Sequence, residues 1–312
     1  MTRTLAIQMD PIESINPRSD STLALGIEAQ KRGYQVYYYT PEKLTSRDGR
    51  VTARGYPVTL FHDETRWFER GGETLLYLEQ MDVVMLRQDP PFDMAYISST
   101  YLLEQLQSTT FVTNNPTAVR NHPEKLFPFA FSQFMPPTLV TSDEREIGNF
   151  RKEFKDIIVK PVYGHGGRAV FRITEQDHNF GALLESLLTQ SKEPLMVQPF
   201  LPEVKTQDRR IILADGKVAG VLGRIPAEHE IRANFRVGGT AAKAALTKRQ
   251  SEICEALEPV LRDEGLLFVG LDVIGDWLTE INITSPTGIR PMNRLYGIEV
   301  EAVLWDAIES HL

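Results

Sequence analysis

The chain has 312 residues, 42% of them hydrophobic and 24% charged, with a formal net charge of −8. This is an ordinary globular composition, and an acidic balance without any dense basic run argues against nucleic acid or anionic membranes as partners. A lone cysteine, Cys254, excludes a disulfide within the chain.

The length predicts two or three domains. "MTRTLAIQMDP" has too short an apolar run for a signal peptide, and no stretch reaches the ~18 apolar residues of a membrane-spanning helix. A cytoplasmic location is therefore the expectation.

Taken in order, "TLAIQMD" predicts a buried first strand, followed by the loop "PIESINPR". "SDSTLALGIEAQKRG" predicts a helix capped by Ser19 or Asp20, with Gly33 just past its end. "YQVYYYT" and "MDVVMLRQ" predict the next strands. A "DPPFD" turn, a helix through "AYISSTYLLEQLQ" and a short strand "TFVTN" follow. "FHDET" at 61–65 reads as a surface turn. Strand and helix alternate, so residues 1–122 predict an open parallel α/β domain. No G-x-G-x-x-G follows the first strand, which leaves a dinucleotide-dependent reductase without support.

Beyond "NHPEKLF" the texture becomes α+β, with short strands at "DIIVKPV", "AVFRI", "PLMVQPF", "RRIILADG", "KVAGVLGRI" and "LFVGLDVIG". Boundaries fall at 123–200 and 201–312. "PAEHEIRANFRVGGT", 226–240, is polar, glycine-containing and aperiodic, the signature of a functional or disordered loop. "QSEICEALEPVLRDEG" is helix-like and predicts a packed, unreactive Cys254.

Several places could carry chemistry. Lys160 closes an apolar strand and "GHGG" follows at 164–167, so backbone amides and a lysine could meet a phosphate. A plain hairpin turn would use the same letters. "MVQPFLPE" could border an adenine ring or simply run into a proline turn. Asp208 and Arg210, two apart on a strand, share a face, where Arg210 either meets a phosphate or sits on an exposed edge. The six histidines show no ligand spacing, and no G-x-S-x-G elbow supports a serine nucleophile.

The hairpin "GLDVIGDWLTEINI" is the most specific of these. With a loop at Gly275 to Trp277, Asp272 falls opposite Glu280, and Asn282 shares their face together with Ile274 and Leu278. Leu271, Val273, Thr279, Ile281 and Ile283 then form the other face. Two carboxylates about 4 Å apart repel by about 4 kcal/mol at an effective dielectric of about 20. A cation between them would relieve this, and oxygen-only ligands suit magnesium better than zinc. On the hairpin alone, a solvated turn-proximal pair explains the residues as well.

The order of these pieces looks like the ATP-grasp fold, in which two α+β subdomains clamp ATP and magnesium. Over almost its full length the chain resembles the bacterial glutathione synthetases. The resemblance rests on "MDPIESIN" (9–16), "LRQDPPFD" (86–93), "NHPEKLF" (121–127), "VKP" (159–161), "GHGG" and "GLDVIGDWLTEINITSPTGIR" (270–290). It implies a pre-ATP-grasp domain at 1–122, a lid subdomain at 123–200 and a C-terminal subdomain at 201–312 with a mobile loop at 226–240. The activity it implies is ATP-dependent ligation of γ-glutamylcysteine to glycine through an acyl phosphate.

By the same resemblance Lys125, Lys160, Gly164, Gly166 and Gly167 hold ATP phosphates. Gln198, Phe200 and Leu201 border the adenine, with Asp208 on the nucleotide side. Asp272, Glu280 and Asn282 ligate Mg2+, with Mn2+ as an alternative ion. Arg210, Arg232, Asn234 and Gly239 serve catalysis and lid closure. Arg87, Asn282, Ser285, Pro286 and Thr287 line the dipeptide side. A homo-oligomer, with a tetramer as one form, is implied as well.

Three positions depart from the family pattern. Gln88 stands where a lysine is expected, which would weaken dipeptide binding. The lid reads "EHEIRANFRVGG" rather than starting Gly-Gly-Glu-Thr-Arg, and "PMNRL" lacks acidic residues. A ligase with another amine or peptide, and an ATP-binding regulatory protein without turnover, are the alternatives.

Overall fold

The computed structural model describes residues 2–190 and 192–312. Three sheets account for the architecture. The first contains β1 (Thr4–Gln8), β2 (Gln35–Tyr39), β3 (Leu44–Arg47), β4 (Arg50–Leu60), β5 (Phe68–Arg70), β6 (Thr74–Tyr77), β7 (Val83–Leu86) and β8 (Phe111–Thr113). Its order is β3-β4-β2-β1-β7-β8, with β5 and β6 also on β4. β2, β1, β7 and β8 run parallel, as the strand–helix alternation predicts. Residues 44–77, for which the pattern predicts no strands, add four antiparallel strands at one edge.

Helices α1 (Ser21–Lys31), α2 (Met94–Glu104) and α3 (Pro116–Asn121) serve this sheet. Asp20, not Ser19, caps α1 by accepting from the Leu23 amide, and Asp93 caps α2 in the same way through Tyr96. Each cap satisfies an amide that the first turn of a helix cannot pair itself. "FHDET" lies outside any strand or helix and is largely exposed.

The second sheet, β9 (Leu139–Thr141), β10 (Ile157–Pro161), β11 (Phe171–Ile173) and β12 (Leu195–Pro199), is antiparallel in the order β11-β10-β12-β9. Helices α4 (Glu144–Phe154) and α5 (Phe180–Gln190) contribute Ile147, Leu184 and Leu187 to a core that includes Ile157, Val159 and Val197. Strand alternation sends Ile158 and Lys160 the other way.

The third sheet is β15-β14-β13-β16-β17, all antiparallel: β13 (Asp208–Ala214), β14 (Lys217–Ile225), β15 (Thr240–Ala242), β16 (Phe268–Ile274) and β17 (Trp277–Asn282). α6 (Lys248–Asp263) carries Cys254 into the core beneath it, beside Leu257 and Leu261. α7 (Ile289–Tyr296) and α8 (Val300–Glu309) cover part of the other face. No helix of the described residues is long and apolar enough to cross a membrane.

The first and third sheets share their cores, whereas the second has one of its own. One cluster joins Ala6, Tyr39 and Val84 to Leu271, Val273 and Ile281, and another joins Leu5 and Ile7 to Ile212 and Trp305. Arg32 at the end of α1 binds Glu28, Asp306 and Glu309, tying α1 to α8. Buried Asn114 donates to the carbonyls of Phe268 and Ile283 and accepts from the Phe268 amide, at 2.7, 2.8 and 2.8 Å.

Asn114→Ala would strand three backbone groups away from water, at a cost of about 3 kcal/mol. Urea unfolding should show that loss in the midpoint, and a variant with the parent midpoint would refute the role of this seam.

Candidate functional site

The site begins with the hairpin β16–β17. Asp272 pairs with Glu280 and Gly270 with Asn282, as the sequence predicts, but by a different route. The loop is two residues, Gly275 and Asp276, since Ile274 pairs with Trp277. A bulge after Asp272 supplies the missing residue. It also corrects the faces: Leu278 pairs with Val273 and joins the core, while Thr279 lines the cleft and donates to the Asp272 carbonyl. The extra residue breaks the period of two, which is what exchanges these side chains.

β13 and β14 repeat the device. A two-residue Asp215–Gly216 turn followed by regular pairing would set Asp208 against Gly223. A bulge between Ile212 and Leu213 sets it against Arg224 instead. Arg224 is the main residue that sequence reasoning missed. The "DG" turn signal brings it within one position, and only the bulge completes the match.

The polar face now reads across the sheet. Arg224 Nε lies 2.6 Å from Asp208 and its Nη1 3.2 Å from Asp272, while Arg210 Nε lies 2.8 Å from Asp272. All four side chains are buried, so Arg210 is no edge arginine and Asp272 no solvated acid. A Cβ at Gly270 would lie 2.6 Å from the Arg210 guanidinium, so glycine there lets the arginine cross the strand.

Glu280 faces two lysines brought from outside the sheet, Lys125 at 3.6 Å and Lys160 at 3.7 Å. Burial pushes its carboxyl up, but Lys125, Lys160, Arg210 and Arg224 prevail and hold it at about 2. Burial wins on the other side of the pair, lowering Lys160 despite Glu280. For Asp208 burial also prevails over Arg224 and raises the carboxyl. Lys125 is placed by its neighbour Glu124, a second residue the sequence reading passed over. Glu124 accepts from the amides of Ile283 and Thr284 and from the Thr284 hydroxyl, which docks this segment on the end of β17.

Lys125 also donates to the Gly164 carbonyl, and Arg232 Nη1 donates to the Gly167 carbonyl at 2.7 Å. Arg232 is in turn gripped by Glu230. The glycine loop and the 226–240 loop therefore meet over the cleft. A Cβ at Gly239 would lie 2.1 Å from the Ala233 carbonyl oxygen, so only glycine permits that turn of the loop.

Three cavities connect along this face. The first has a cavity volume of about 120 Å³ and opens to solvent. It is lined by Lys125, Lys160, Gly164, Gly166, Gly167, Gln198, Phe200, Leu201, Asp208, Arg232, Asn234, Asp272 and Glu280 among the expected residues, with apolar Ile158, Val204, Ile231 and Ile274. The second shares Glu280 and Asn234 with it and adds Arg210, Asn282, Ser285, Thr287 and Glu124. The third shares Thr287 with the second and adds Arg87, Asp10, Asp20 and Thr22. His165 borders all three.

Two expected residues, Gly239 and Pro286, line none of these three. Gly239 shapes its loop, and the Pro286 carbonyl accepts from Arg87 Nη2 at 2.9 Å. Gln88 also stays away from the cavities. It is buried and accepts from Gln8 Nε2, with the Ser99 hydroxyl 3.4 Å away. Its departure from the family lysine therefore acts on the packing between β1 and α2.

An apolar slot beside paired lysines and glycine amides fits a purine nucleotide with its phosphates. Asp272, Glu280 and Asn282 offer oxygen only. The Asn282 amide nitrogen donates to the Gly270 carbonyl, and Asp272 Oδ1 faces Arg210 Nε at 2.8 Å. That donor set fits a hard divalent cation.

Comparison with known proteins agrees with this chemistry. The prokaryotic glutathione synthetase N-terminal domain matches residues 4–120, and the prokaryotic glutathione synthetase ATP-grasp domain matches residues 124–297. The chain is 51% identical to the glutathione synthetase of Rhodopseudomonas palustris over 310 residues, covering 99% of each. It is 43% identical to that of Pseudomonas putida, covering 100% of this chain and 99% of the relative. Among solved structures, D-cycloserine synthetase DcsG superposes with a TM-score of 0.69 at 14% identity, covering 99% of both chains, a likeness of fold.

Removing one member of a buried ion pair strands the other, at about 3–5 kcal/mol. Arg224→Met should lower the urea midpoint accordingly; an unchanged midpoint would show that Asp208 and Asp272 do not need Arg224.

Proposed function

The chain belongs to the prokaryotic glutathione synthetase family, and on that premise we propose how its three cavities carry out the ligation of γ-glutamylcysteine to glycine. As a member it is an ATP-dependent ligase that forms a peptide bond, using ATP with a divalent metal. Residues 1–122 serve as the substrate side, 123–200 as the lid and 201–312 as the sheet that carries the metal hairpin.

The observation that carries the reading is the opposition of Asp272 and Glu280 across the hairpin, with Arg210 and two lysines converging on them. The adenine lies in the apolar slot at Gln198 to Leu201. Lys125 and Lys160, freed from Glu280, take the phosphates. Asp272, Glu280 and Asn282 hold Mg2+, the hard cation that their donors suit, and Mn2+ fits the same set. Bound there, the ion would supply charge neutralisation to the phosphates that Lys125 and Lys160 hold.

A carboxylate is a poor electrophile, so phosphorylation must come first. The cysteinyl carboxylate oxygen attacks the γ-phosphorus, ADP leaves, and an acyl phosphate forms. The glycine amine then attacks the acyl carbon, giving up a proton, and inorganic phosphate departs. Arg210 faces the phosphoryl group and offsets the charge that moves during transfer. Arg87, Ser285 and Thr287 orient the dipeptide from the second and third cavities. The meeting loops keep water from the acyl phosphate, which would otherwise hydrolyse.

ADP release should require magnesium, ATP, γ-glutamylcysteine and glycine together. Glu280→Ala should abolish it while leaving the circular dichroism spectrum intact, with a lower thermal midpoint because Lys125 and Lys160 lose their buried partner. Turnover with a different amine would move the acceptor, and normal activity in Glu280→Ala would refute the metal assignment. Gly239→Ala should lower kcat on the order of tenfold to a hundredfold by misplacing Arg232 and Asn234. An unaltered kcat would show that the Gly239 turn is irrelevant to closure.

A further inference from the structure

The lid sheet has its own core, so something must set where its glycine loop stands relative to the rest of the molecule. Two of the fastenings lie in the cleft itself, Lys125 to the Gly164 carbonyl and Arg232 to the Gly167 carbonyl. Both cations are needed for the nucleotide or for lid closure, so neither can act as a fixed support. A third contact lies outside the cavities. The ring of Tyr163, immediately before Gly164, stacks on Phe92 at 6.1 Å between centroids and 23° between planes.

Phe92 is a rigid support. It sits in "DPPFD", whose prolines at 90 and 91 limit backbone freedom. The loop is tied at both ends, by the Asp89 amide donating to Asp10 and by Asp93 capping α2. Phe92 also packs on Tyr96 at 5.3 Å and against the core shared by the first and third sheets. Arg87, at the start of the same segment, borders the third cavity. Tyr163 lines none of the three cavities above.

We propose that Phe92 and Tyr163 form an aromatic clasp that positions the glycine loop over the ATP phosphates from the dipeptide-binding side. Neither ring touches a reacting atom; both are positioning residues, acting through Gly164 and its lysine. The clasp rests on the ligase reading above. It makes the donor-side loop and the nucleotide loop one unit, so that phosphates are held tightly where the donor segment is in place.

The test uses the full chain and four variants: Tyr163→Ala, Tyr163→Phe, Phe92→Ala and the double alanine. Two quantities are read, the KM for ATP and the ADP released per peptide bond formed. Tyr163→Ala should raise the KM about tenfold and increase ADP lost to water, because a displaced loop exposes the acyl phosphate. Tyr163→Phe, which keeps the ring, should match the parent. The double variant should be no worse than either single alanine, as residues acting as one unit require.

A parent-like KM and ratio in Tyr163→Ala, a Tyr163→Phe variant as defective as alanine, or additive losses in the double variant would each overturn the clasp. Binding of a non-hydrolysable ATP analogue with magnesium separates this outcome from failure of the ligase reading. If the parent does not turn over but binds the analogue, weaker binding in Tyr163→Ala with parent-like binding in Tyr163→Phe would still support the clasp.

Discussion

The structure depends on holding Asp272 and Glu280 adjacent on neighbouring strands in a largely buried face. At an effective dielectric of about 20, two such charges about 4 Å apart repel by about 4 kcal/mol. The fold surrounds them. Arg210 and Arg224 reach Asp272 from within the sheet, and Lys125 and Lys160 reach Glu280 from outside it. The arginines belong to the same sheet as the acids, whereas Lys160 belongs to the lid. Seating the lid and balancing Glu280 are therefore one event.

The division of the cores explains how such a site can open. The first and third sheets are welded by shared apolar clusters, by the Arg32 network and by Asn114. The second sheet packs on its own helices. Its glycine loop reaches the body through Lys125 and Arg232 on backbone carbonyls and through Tyr163 on Phe92. The apolar slot at Gln198 to Leu201 lies along that boundary, with Ile231 and Ile274 also lining it.

Much of the site was legible because its residues sit in short, chemically distinctive segments. "TEINITSPTG" marked Glu280, Asn282, Ser285 and Thr287, which line the cavities, and "VKP" with "GHGG" marked Lys160 and the glycines beside it. Other parts were opaque for identifiable reasons. β3 to β6 are short or half-exposed, and Gly55 and Pro57 interrupt the longest of them, so no clean alternation marks them. Gln88 lies outside the cavities although its neighbour Arg87 borders one. In extended chain the next side chain points the opposite way, toward Gln8.

The sequence by itself determined the parallel strands of the first sheet, the carboxylate–amide hairpin, the glycine loop and the long polar loop. The first follows from the alternation of strand and helix over residues 1–122, the others from composition and spacing within single short segments. Only the tertiary structure decided which side chains share the cleft. One bulge sets Asp272 against Glu280 and exchanges Thr279 for Leu278, and another sets Arg224 against Asp208. A bulge shifts every later side chain to the opposite face, yet its position is chosen by the packing of strands and helices distant in sequence. Local periodicity cannot carry that information. Contacts such as Phe92 on Tyr163, 71 positions apart, exist only once the sheets have been assembled.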